Sequence, residues 1–191
     1  MRIITGSAKG RVLATLPGEA TRPTSEKAKE AIFSMLQFEL EGRRVLDLFS
    51  GSGQMGLEAL SRGAASAVLV DKSRDAIAII QKNATATRLA DRCKILCFDG
   101  IEYLRRETGI GFDIVFLDPP YASSLIKTSL ETLLARNLLK KGSLIVCESD
   151  KEDVFEGDGE LSARFDIVKK ARYGIAYVTI LTPAEAERTE V

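Results

Sequence analysis

Short apolar runs alternate with segments of helical spacing along most of the chain. The apolar runs are bounded by turn-forming residues, which is typical of buried strands, and they are Val45–Phe49, Ala67–Val70, Lys94–Phe98, Asp113–Leu117 and Leu144–Cys147. The helices predicted between and after them are Gln54–Arg62, Ser73–Leu89, Ile101–Glu107 and Ser124–Arg136. Strands separated by helices predict a parallel sheet joined by crossovers, and therefore an α/β fold.

The carboxyl-terminal part of the chain departs from this alternation. The apolar runs Phe165–Val168 and Ala176–Leu181 are separated by too few residues for a helical crossover. We therefore predict that the sheet ends in an antiparallel pair.

The amino-terminal part also departs from it, because glycines and prolines interrupt short β-prone pieces. Arg2–Thr5 and Arg11–Leu16 predict a hairpin, and the spacing after them predicts a helix over Ser25–Leu40 with Ser25 as its cap. We expect a hairpin extension over residues 1–24, the main domain over 25–183 and a tail over 184–191.

Composition narrows the chemistry. The 191 residues include no His, which excludes His-dependent triads, His metal ligands and an imidazole base. The three cysteines, Cys93, Cys97 and Cys147, are too few for a zinc site without His, and we expect buried, reduced thiols. With no apolar segment long enough to span a membrane and no secretory signal, we expect a soluble, cytoplasmic protein without a metal.

Charge is balanced overall but unevenly distributed. The chain has 27 basic and 27 acidic residues, yet residues 1–29 carry a net charge of +4 and residues 148–160 one of −6. Both segments are compatible with ordinary solvated faces. The basic segment gains interest only if it borders an active site.

A glycine-rich loop follows the first predicted strand of the main domain. Residues 50–56 match G-x-G-x-x-G between a strand and a helix, where glycines let a ligand approach the backbone. The pattern alone is also that of dinucleotide-binding oxidoreductases.

Three acids lie in the first three strands of the main domain or at their ends: Asp47 is two residues before the end of the first strand, and Asp71 and Asp99 end the second and third. Asp47 at the glycine loop would repel a pyrophosphate and suits an ammonium group, Asp71 suits ribose hydroxyls, and Asp99 suits an exocyclic amine such as that of adenine. Helix or turn capping is the alternative for each acid. Together with the loop they predict S-adenosylmethionine as the ligand.

The fourth strand ends in Asp118-Pro119-Pro120-Tyr121. The prolines fix a rigid exit from the strand, so that Asp118 and the Pro119 carbonyl can accept the two hydrogens of a planar amine. Tyr121 offers a face on which a base can stack. This motif predicts transfer to an amine by orientation and electrostatics, without a His.

The chain resembles the RsmD family of bacterial enzymes. The matching segments are Arg2–Gly6, Lys9–Arg11, Thr21–Ser25, Val45–Gly53, Gly56–Ala64 and Phe116–Tyr121. The resemblance implies a class I S-adenosylmethionine-dependent methyltransferase: a Rossmann-like, seven-stranded mixed sheet with helices on both faces and a short N-terminal β-hairpin. It further implies methylation of the N2 amine of a guanine in 16S rRNA of the small ribosomal subunit, with guanine 966 as the family target.

The resemblance also implies roles for individual residues. Asp118, Pro119, Pro120 and Tyr121 would be catalytic; the cofactor would contact Asp47, Ser50, Gly51, Gly53, Asp71, Lys72, Asp99 and Gly100; and RNA would contact Lys9, Arg11, Arg22 and Thr24. Asp71 replaces the family's more usual Glu, Lys9 replaces a more usual Arg, and Gln54-Met55 replaces a smaller pair. We expect a monomer that acts on 16S rRNA in the small subunit or an assembly intermediate.

Three alternatives remain open on the sequence. Another amine methyltransferase, acting on DNA adenine or a protein glutamine, would more often begin its motif with Asn and carry a recognition domain. An NAD-dependent oxidoreductase is disfavoured by Asp47. A non-catalytic ribosome-assembly factor is disfavoured by the intact Asp118–Tyr121 motif.

Overall fold

A computed structural model describes residues 1–16, 23–120 and 124–184, without the side chains of residues 23–25. Seven strands form one sheet in the order β3-β2-β1-β4-β5-β7-β6. The strands are β1 Arg44–Asp47, β2 Ser66–Asp71, β3 Cys93–Cys97, β4 Phe112–Leu117, β5 Leu139–Ser149, β6 Phe165–Tyr173 and β7 Ala176–Pro183. The first five are parallel, and β7 is antiparallel to both β5 and β6, as predicted.

Helices cover both faces of this sheet. They are α1 Pro23–Met35, α2 Gln54–Ser61, α3 Arg74–Thr87, α4 Gly100–Arg106, α5 Leu125–Ala135 and α6 Gly159–Ser162, with a 3-10 turn at Ala90–Arg92. One core packs α1, α2, α3 and the amino-terminal residues against the sheet, and the other packs α4, α5 and α6. Along β4, Ile114 and Phe116 enter the first core while Val115 and Leu117 enter the second. Alternating side chains of a strand buried on both faces explain why these strands read as continuous apolar runs.

The first helix differs from its prediction at both ends. It begins at Pro23, so the prediction that Ser25 caps it is wrong. Proline is favoured in a first helical turn because its φ is helical and its missing N–H has no partner there. The helix ends at Met35 rather than Leu40. Leu36 and Leu40 stay buried in the turns that follow, which explains why the apolar spacing continues.

Strands β5 and β6 are longer than predicted, and α6 was not predicted. The additional residues of β6 include Lys169, Lys170 and Arg172, which are exposed on the outermost strand. Hydropathy does not reveal an edge segment that is exposed on both faces.

The amino-terminal hairpin is reduced to a single antiparallel bridge between Arg2 and Val12. Its anchor is Glu58 of α2, which is fully buried and accepts hydrogen bonds from the backbone N–H groups of Ile4 at 2.7 Å and Thr5 at 3.0 Å. Glu58 also pairs with Lys29 at 3.2 Å and Arg62 at 2.8 Å. The extension is therefore held to the main domain through a buried carboxylate.

A second anchor lies nearer the glycine loop. The buried Asn83 of α3 accepts from Ala14 N and donates to Ala14 O and to Ser52 O, at 2.8 to 2.9 Å. One side chain thus joins the extension to the loop that follows β1.

The division of the chain at residues 24 and 183 stays a prediction.

The cysteines are free thiols in three different environments. Cys147 is buried, Cys93 is half-buried and Cys97 is exposed, so the prediction that all three are buried is wrong for Cys97. The reason is that β3 is the other edge strand of the sheet.

Candidate active site

The carboxyl ends of the parallel strands meet at a cavity of about 350 Å³, here called the large cavity. This volume falls in the range of small-molecule sites. Its walls come from the ends of β1, β2, β3 and β4 and the starts of α4 and α5. They are formed by Leu48, Phe49, Gly51, Asp71, Lys72, Asp99, Gly100, Asp118, Pro119, Pro120 and Leu125.

The glycine loop requires glycine at two positions. Gly51 has φ 51° and Gly53 has φ 76°, in the left-handed region that side chains disfavour. A Cβ on Gly53 would also lie 3.0 Å from the Leu69 side chain. The buried Ser50 donates its hydroxyl to Asp47 O at 2.6 Å, which fixes the loop to the end of β1. Gly51 lines the large cavity, whereas Ser50 and Gly53 do not.

Asp47 is buried beneath this loop and does not itself line the large cavity. Its Oδ2 accepts a hydrogen bond from Gly56 N at 2.9 Å, so it ties β1 to the first turn of α2. Burial, opposed by that hydrogen bond and assisted by the charge of Asp71, raises the pKa of Asp47 to about 7. The carboxyl is therefore poised to ionise near neutral pH, and an approaching cation would favour its charged form.

Asp71 ends β2 and lines the large cavity. Its Oδ2 accepts from Gly51 N and its Oδ1 from Ser73 N, both at 2.9 Å. Each carboxylate oxygen has a second lone pair, so an oriented acceptor faces the cavity. Lys72 follows Asp71 and is exposed at the rim.

Asp99 combines a cavity position with a capping role. It is exposed, precedes α4 and accepts from Glu102 N at 3.0 Å as the N-cap. The adjacent Gly100 is buried in the wall, where a Cβ would lie 3.0 Å from the Phe49 ring. Asp99 can therefore cap α4 and contact a ligand in the large cavity at the same time.

Asp118, Pro119 and Pro120 follow β4 directly. Asp118 and Pro120 are exposed, and Pro119 is buried. Asp118 lines the large cavity and also a second one of about 30 Å³, here called the small cavity. Asp118 therefore lies between the large and the small cavity, where it could contact a ligand in each. Tyr121 lies outside the described residues.

The small cavity lies on the face of the sheet that α1 and α2 cover. It is lined by Lys29, Ile32, Gln54, Met55, Phe116, Leu117, Asp118, Val146 and Glu148. Gln54 and Met55, where the glycine loop departs from the family pattern, thus face this cavity rather than the large one.

Lys9 and Arg11, two of the residues predicted to contact RNA, line neither cavity. Lys9 and Arg11 are exposed at the turn of the extension, beside Ser61, the last residue of α2. Helix α2 has eight residues, a length of roughly 12 Å, and Ser61 is at its far end from the start of the glycine loop. Arg22 lies outside the described residues. Thr24 is in the first turn of α1, and its side chain is not among those described.

Sequence reasoning missed three residues of the large cavity, Leu48, Phe49 and Leu125. Leu48 and Phe49 directly follow Asp47 at the end of β1, so their position was a usable signal. Leu125 lies at the start of α5, after residues 121–123, and only the three-dimensional arrangement brings it to the site.

The described ranges contain neither a helix long and apolar enough to cross a membrane nor a group of three or more Cys, Asp and Glu side chains placed to hold a metal ion.

Comparison with known proteins identifies this arrangement. The family model described as "Conserved hypothetical protein 95" matches residues 1–182. The chain is 38% identical over 185 residues to "Putative rRNA methyltransferase YlbH" of Bacillus subtilis, covering 94% of this chain and 97% of that protein. It is 34% identical over 153 residues to "Ribosomal RNA small subunit methyltransferase D" of Escherichia coli K12, covering 80% of this chain and 76% of that protein. The chain belongs to the RsmD family.

The solved structures agree. "Putative methyltransferase yhhF from Escherichia coli" superimposes with a TM-score of 0.83 at 27% identity, covering 97% of this chain and 99% of that one. The fold is that of the class I S-adenosylmethionine-dependent methyltransferases, and the RsmD-family chain is a methyltransferase with S-adenosylmethionine as cofactor. The cavity agrees with this cofactor: its volume suits a small molecule, and Asp71 and Asp99 present carboxylates without a phosphate-binding cluster of basic residues among the described lining.

Proposed function

We propose that this RsmD-family protein transfers a methyl group to the N2 amine of a guanine in 16S rRNA of the small ribosomal subunit, with guanine 966 as the target. The observation that carries the proposal is the position of Asp118 between the large and the small cavity. The relatives named for methylation of small-subunit ribosomal RNA support rRNA as the substrate.

The large cavity is where the cofactor would bind. Gly51 and Asp47 would lie toward the methionine part, Asp71 and Lys72 toward the ribose, and Asp99 with Gly100 toward the adenine; Ser50 and Gly53 shape the loop. When bound, S-adenosylmethionine supplies an electrophilic methyl group. The oriented Asp71 carboxylate supports the ribose assignment, because two backbone N–H groups hold it in place before any ligand arrives.

Asp118 and Pro119 would hold the guanine amine. The carboxylate and the Pro119 carbonyl accept its two hydrogens, which turns the nitrogen lone pair toward the large cavity. Pro120 stiffens this exit from β4. Asp118 is exposed and would accept the proton that the amine releases after transfer. Tyr121 is proposed to stack on the base.

Basic residues of β6, the outermost strand, lie level with the carboxyl ends of the parallel strands and would contact RNA phosphates. Strand β6 runs parallel to β5, because both are antiparallel to β7. Its carboxyl end therefore lies on the same side of the sheet as the carboxyl ends of β1 to β5, where the site is. Lys169, Lys170 and Arg172 are exposed there. Lys9, Arg11, Arg22 and Thr24 remain proposed RNA contacts. An rRNA substrate would place the protein in the cytoplasm, where we propose that it acts as a monomer.

Two substitutions test the division of roles. Asp118→Ala is expected to lower kcat by at least about a thousandfold and to leave the affinity for S-adenosylhomocysteine nearly unchanged. Asp99→Ser, which keeps a capping side chain, is expected to weaken that affinity and preserve kcat at saturating cofactor. Calorimetry and methyl transfer to undermethylated small subunits measure the two quantities. Equal loss of cofactor affinity in both variants would contradict the assignment.

A further inference from the structure

Two acids from neighbouring strands line the small cavity together. The parallel register pairs Leu117 of β4 with Cys147 of β5, so the next residues, Asp118 and Glu148, lie side by side on the same face of the sheet. Two residues earlier, Phe116 and Val146 face the same cavity. Glu148 is half-buried and has no role in the assignment above.

The surroundings of Glu148 favour a strong, directional hydrogen bond. The side chains of Ile32, Met55, Phe116 and Val146 form apolar walls, and burial strengthens a charge-assisted bond to a ligand. Lys29 also lines the cavity, but its ammonium contacts Glu58 at 3.2 Å and Arg2 O at 3.2 Å. Its charge is therefore compensated within the anchor of the amino-terminal extension.

The volume limits what can enter. About 30 Å³ accommodates about two water molecules, which matches the polar atoms along one edge of a base rather than a whole base. The Watson–Crick edge of guanine presents two adjacent donors, the N2 amine and the N1–H. Two adjacent carboxylates complement two adjacent donors.

We propose that Glu148 determines specificity for guanine by accepting a hydrogen bond from N1–H while Asp118 holds the N2 amine. This rests on the proposed function and extends it to the neighbouring atom of the base. Adenine and 2-aminopurine carry a lone pair at N1, which would face the Glu148 carboxylate and repel it. A site built around a substrate N–H rejects analogues that lack it, because the acceptor then faces a lone pair in place of a donor.

The test uses 2-aminopurine, which keeps the exocyclic amine at C2 but has no N1–H. Small subunits are reconstituted with 16S rRNA ligated to carry guanine or 2-aminopurine at the target, and kcat/KM is measured with the full-length protein. The unmodified protein is expected to prefer guanine at least about tenfold. In Glu148→Gln the preference narrows severalfold, because the amide NH2 can donate to the N1 lone pair of 2-aminopurine.

Two controls separate specificity from other losses. Glu160→Gln changes an exposed acid of α6 and is expected to keep the full preference. S-adenosylhomocysteine affinity, measured by calorimetry, should be unchanged in Glu148→Gln. 2-Aminopurine also lacks O6, but this loss affects all variants equally. A difference in preference between two variants therefore reports on Glu148 alone.

The possible outcomes are distinct. If Glu148→Gln slows both substrates by the same factor, or loses cofactor affinity, Glu148 does not read N1 and the inference is overturned. If the unmodified protein methylates guanine without preference over 2-aminopurine, the inference is overturned and the proposed function stands. If it methylates neither substrate, the proposed function fails as well.

Discussion

Asp47 Oδ2 accepts the backbone N–H of Gly56 at 2.9 Å, so one buried carboxyl group links the end of β1 to the helix that follows the glycine loop. Burial raises the pKa of this group to about 7, far above the value of 3.8 for a solvated aspartate. A structural role for Asp47 predicts that protein stability depends on pH, and a ligand-binding role predicts that cofactor affinity does. Measuring both quantities separates the two roles.

The first prediction concerns stability. Because the folded state binds the Asp47 proton more tightly than the unfolded state, the free energy of unfolding falls as pH rises from about 4 to about 7, by an amount on the order of 4 kcal/mol. Asp47→Asn removes this titration. We expect the melting temperature of the unmodified protein to fall relative to Asp47→Asn between pH 5 and pH 8. If the melting temperatures of the two proteins changed with pH in the same way across that range, Asp47 would have an ordinary pKa.

The second prediction concerns cofactor affinity. If ionised Asp47 meets the ammonium group of the cofactor, S-adenosylhomocysteine binds more tightly as pH rises from 6 to 8, by up to about tenfold, whereas Asp47→Asn shows a flat profile. Calorimetric titrations at several pH values measure this. A pH profile shared by both proteins would restrict Asp47 to its bond with Gly56.

The third prediction concerns the buried anchor of the extension. The Lys29–Glu58 pair and the Arg43–Glu39 pair have the same 3.2 Å separation, but Glu58 is fully buried while 46% of the Glu39 side chain is exposed. Glu58→Gln leaves a buried ammonium without its charge partner and should cost about 3–5 kcal/mol. Glu39→Gln, the matched control, should cost at most about 1 kcal/mol. Denaturant unfolding measures both, and similar values would argue against burial as the source of the difference.

The fourth prediction uses two glycines of similar φ. Gly42, at φ 70°, has open space around it among the described residues, whereas a Cβ on Gly53, at φ 76°, would crowd Leu69 and Ile80. Gly42→Ala should cost about 1–2 kcal/mol from the backbone conformation alone. Gly53→Ala should cost more and should also weaken cofactor binding, because the glycine loop must shift. If calorimetry found cofactor affinity intact in Gly53→Ala, the loop would not shape the cofactor site.

The fifth prediction compares two basic pairs. Lys169 and Lys170 lie level with the carboxyl ends of the parallel strands, where the site is. Arg105 and Arg106 end α4, which starts at the site and runs away from it. Lys169→Gln with Lys170→Gln should weaken binding of rRNA fragments and reduce the slope of log affinity against log salt by about one to two. Arg105→Gln with Arg106→Gln should leave that slope unchanged. Equal effects of the two double variants would remove β6 from the RNA-binding surface.

The alternation of parallel strands with helices and the acids at strand ends were predictable, because each depends on local patterns. Parallel strands buried on both faces gave apolar runs, and Asp71, Asp99 and Asp118 each follow or end one of them. Lys169 and Lys170 were not recognised as strand residues, since an exposed edge strand has no apolar period. Glu148 was grouped with an acidic segment, although its register beside Asp118 separates it from its neighbours. Such long-range register is invisible in local sequence.

The central claim, transfer to the N2 amine of a guanine in 16S rRNA, is tested most directly by identifying the methylated nucleoside. Small subunits isolated from cells lacking this protein are incubated with the purified protein and tritiated S-adenosylmethionine, and the rRNA is digested and separated by chromatography. We predict label in N2-methylguanosine of the small-subunit RNA, and its loss with Asp118→Ala. Label in another nucleoside, or no label from a protein that binds the cofactor, would contradict the claim.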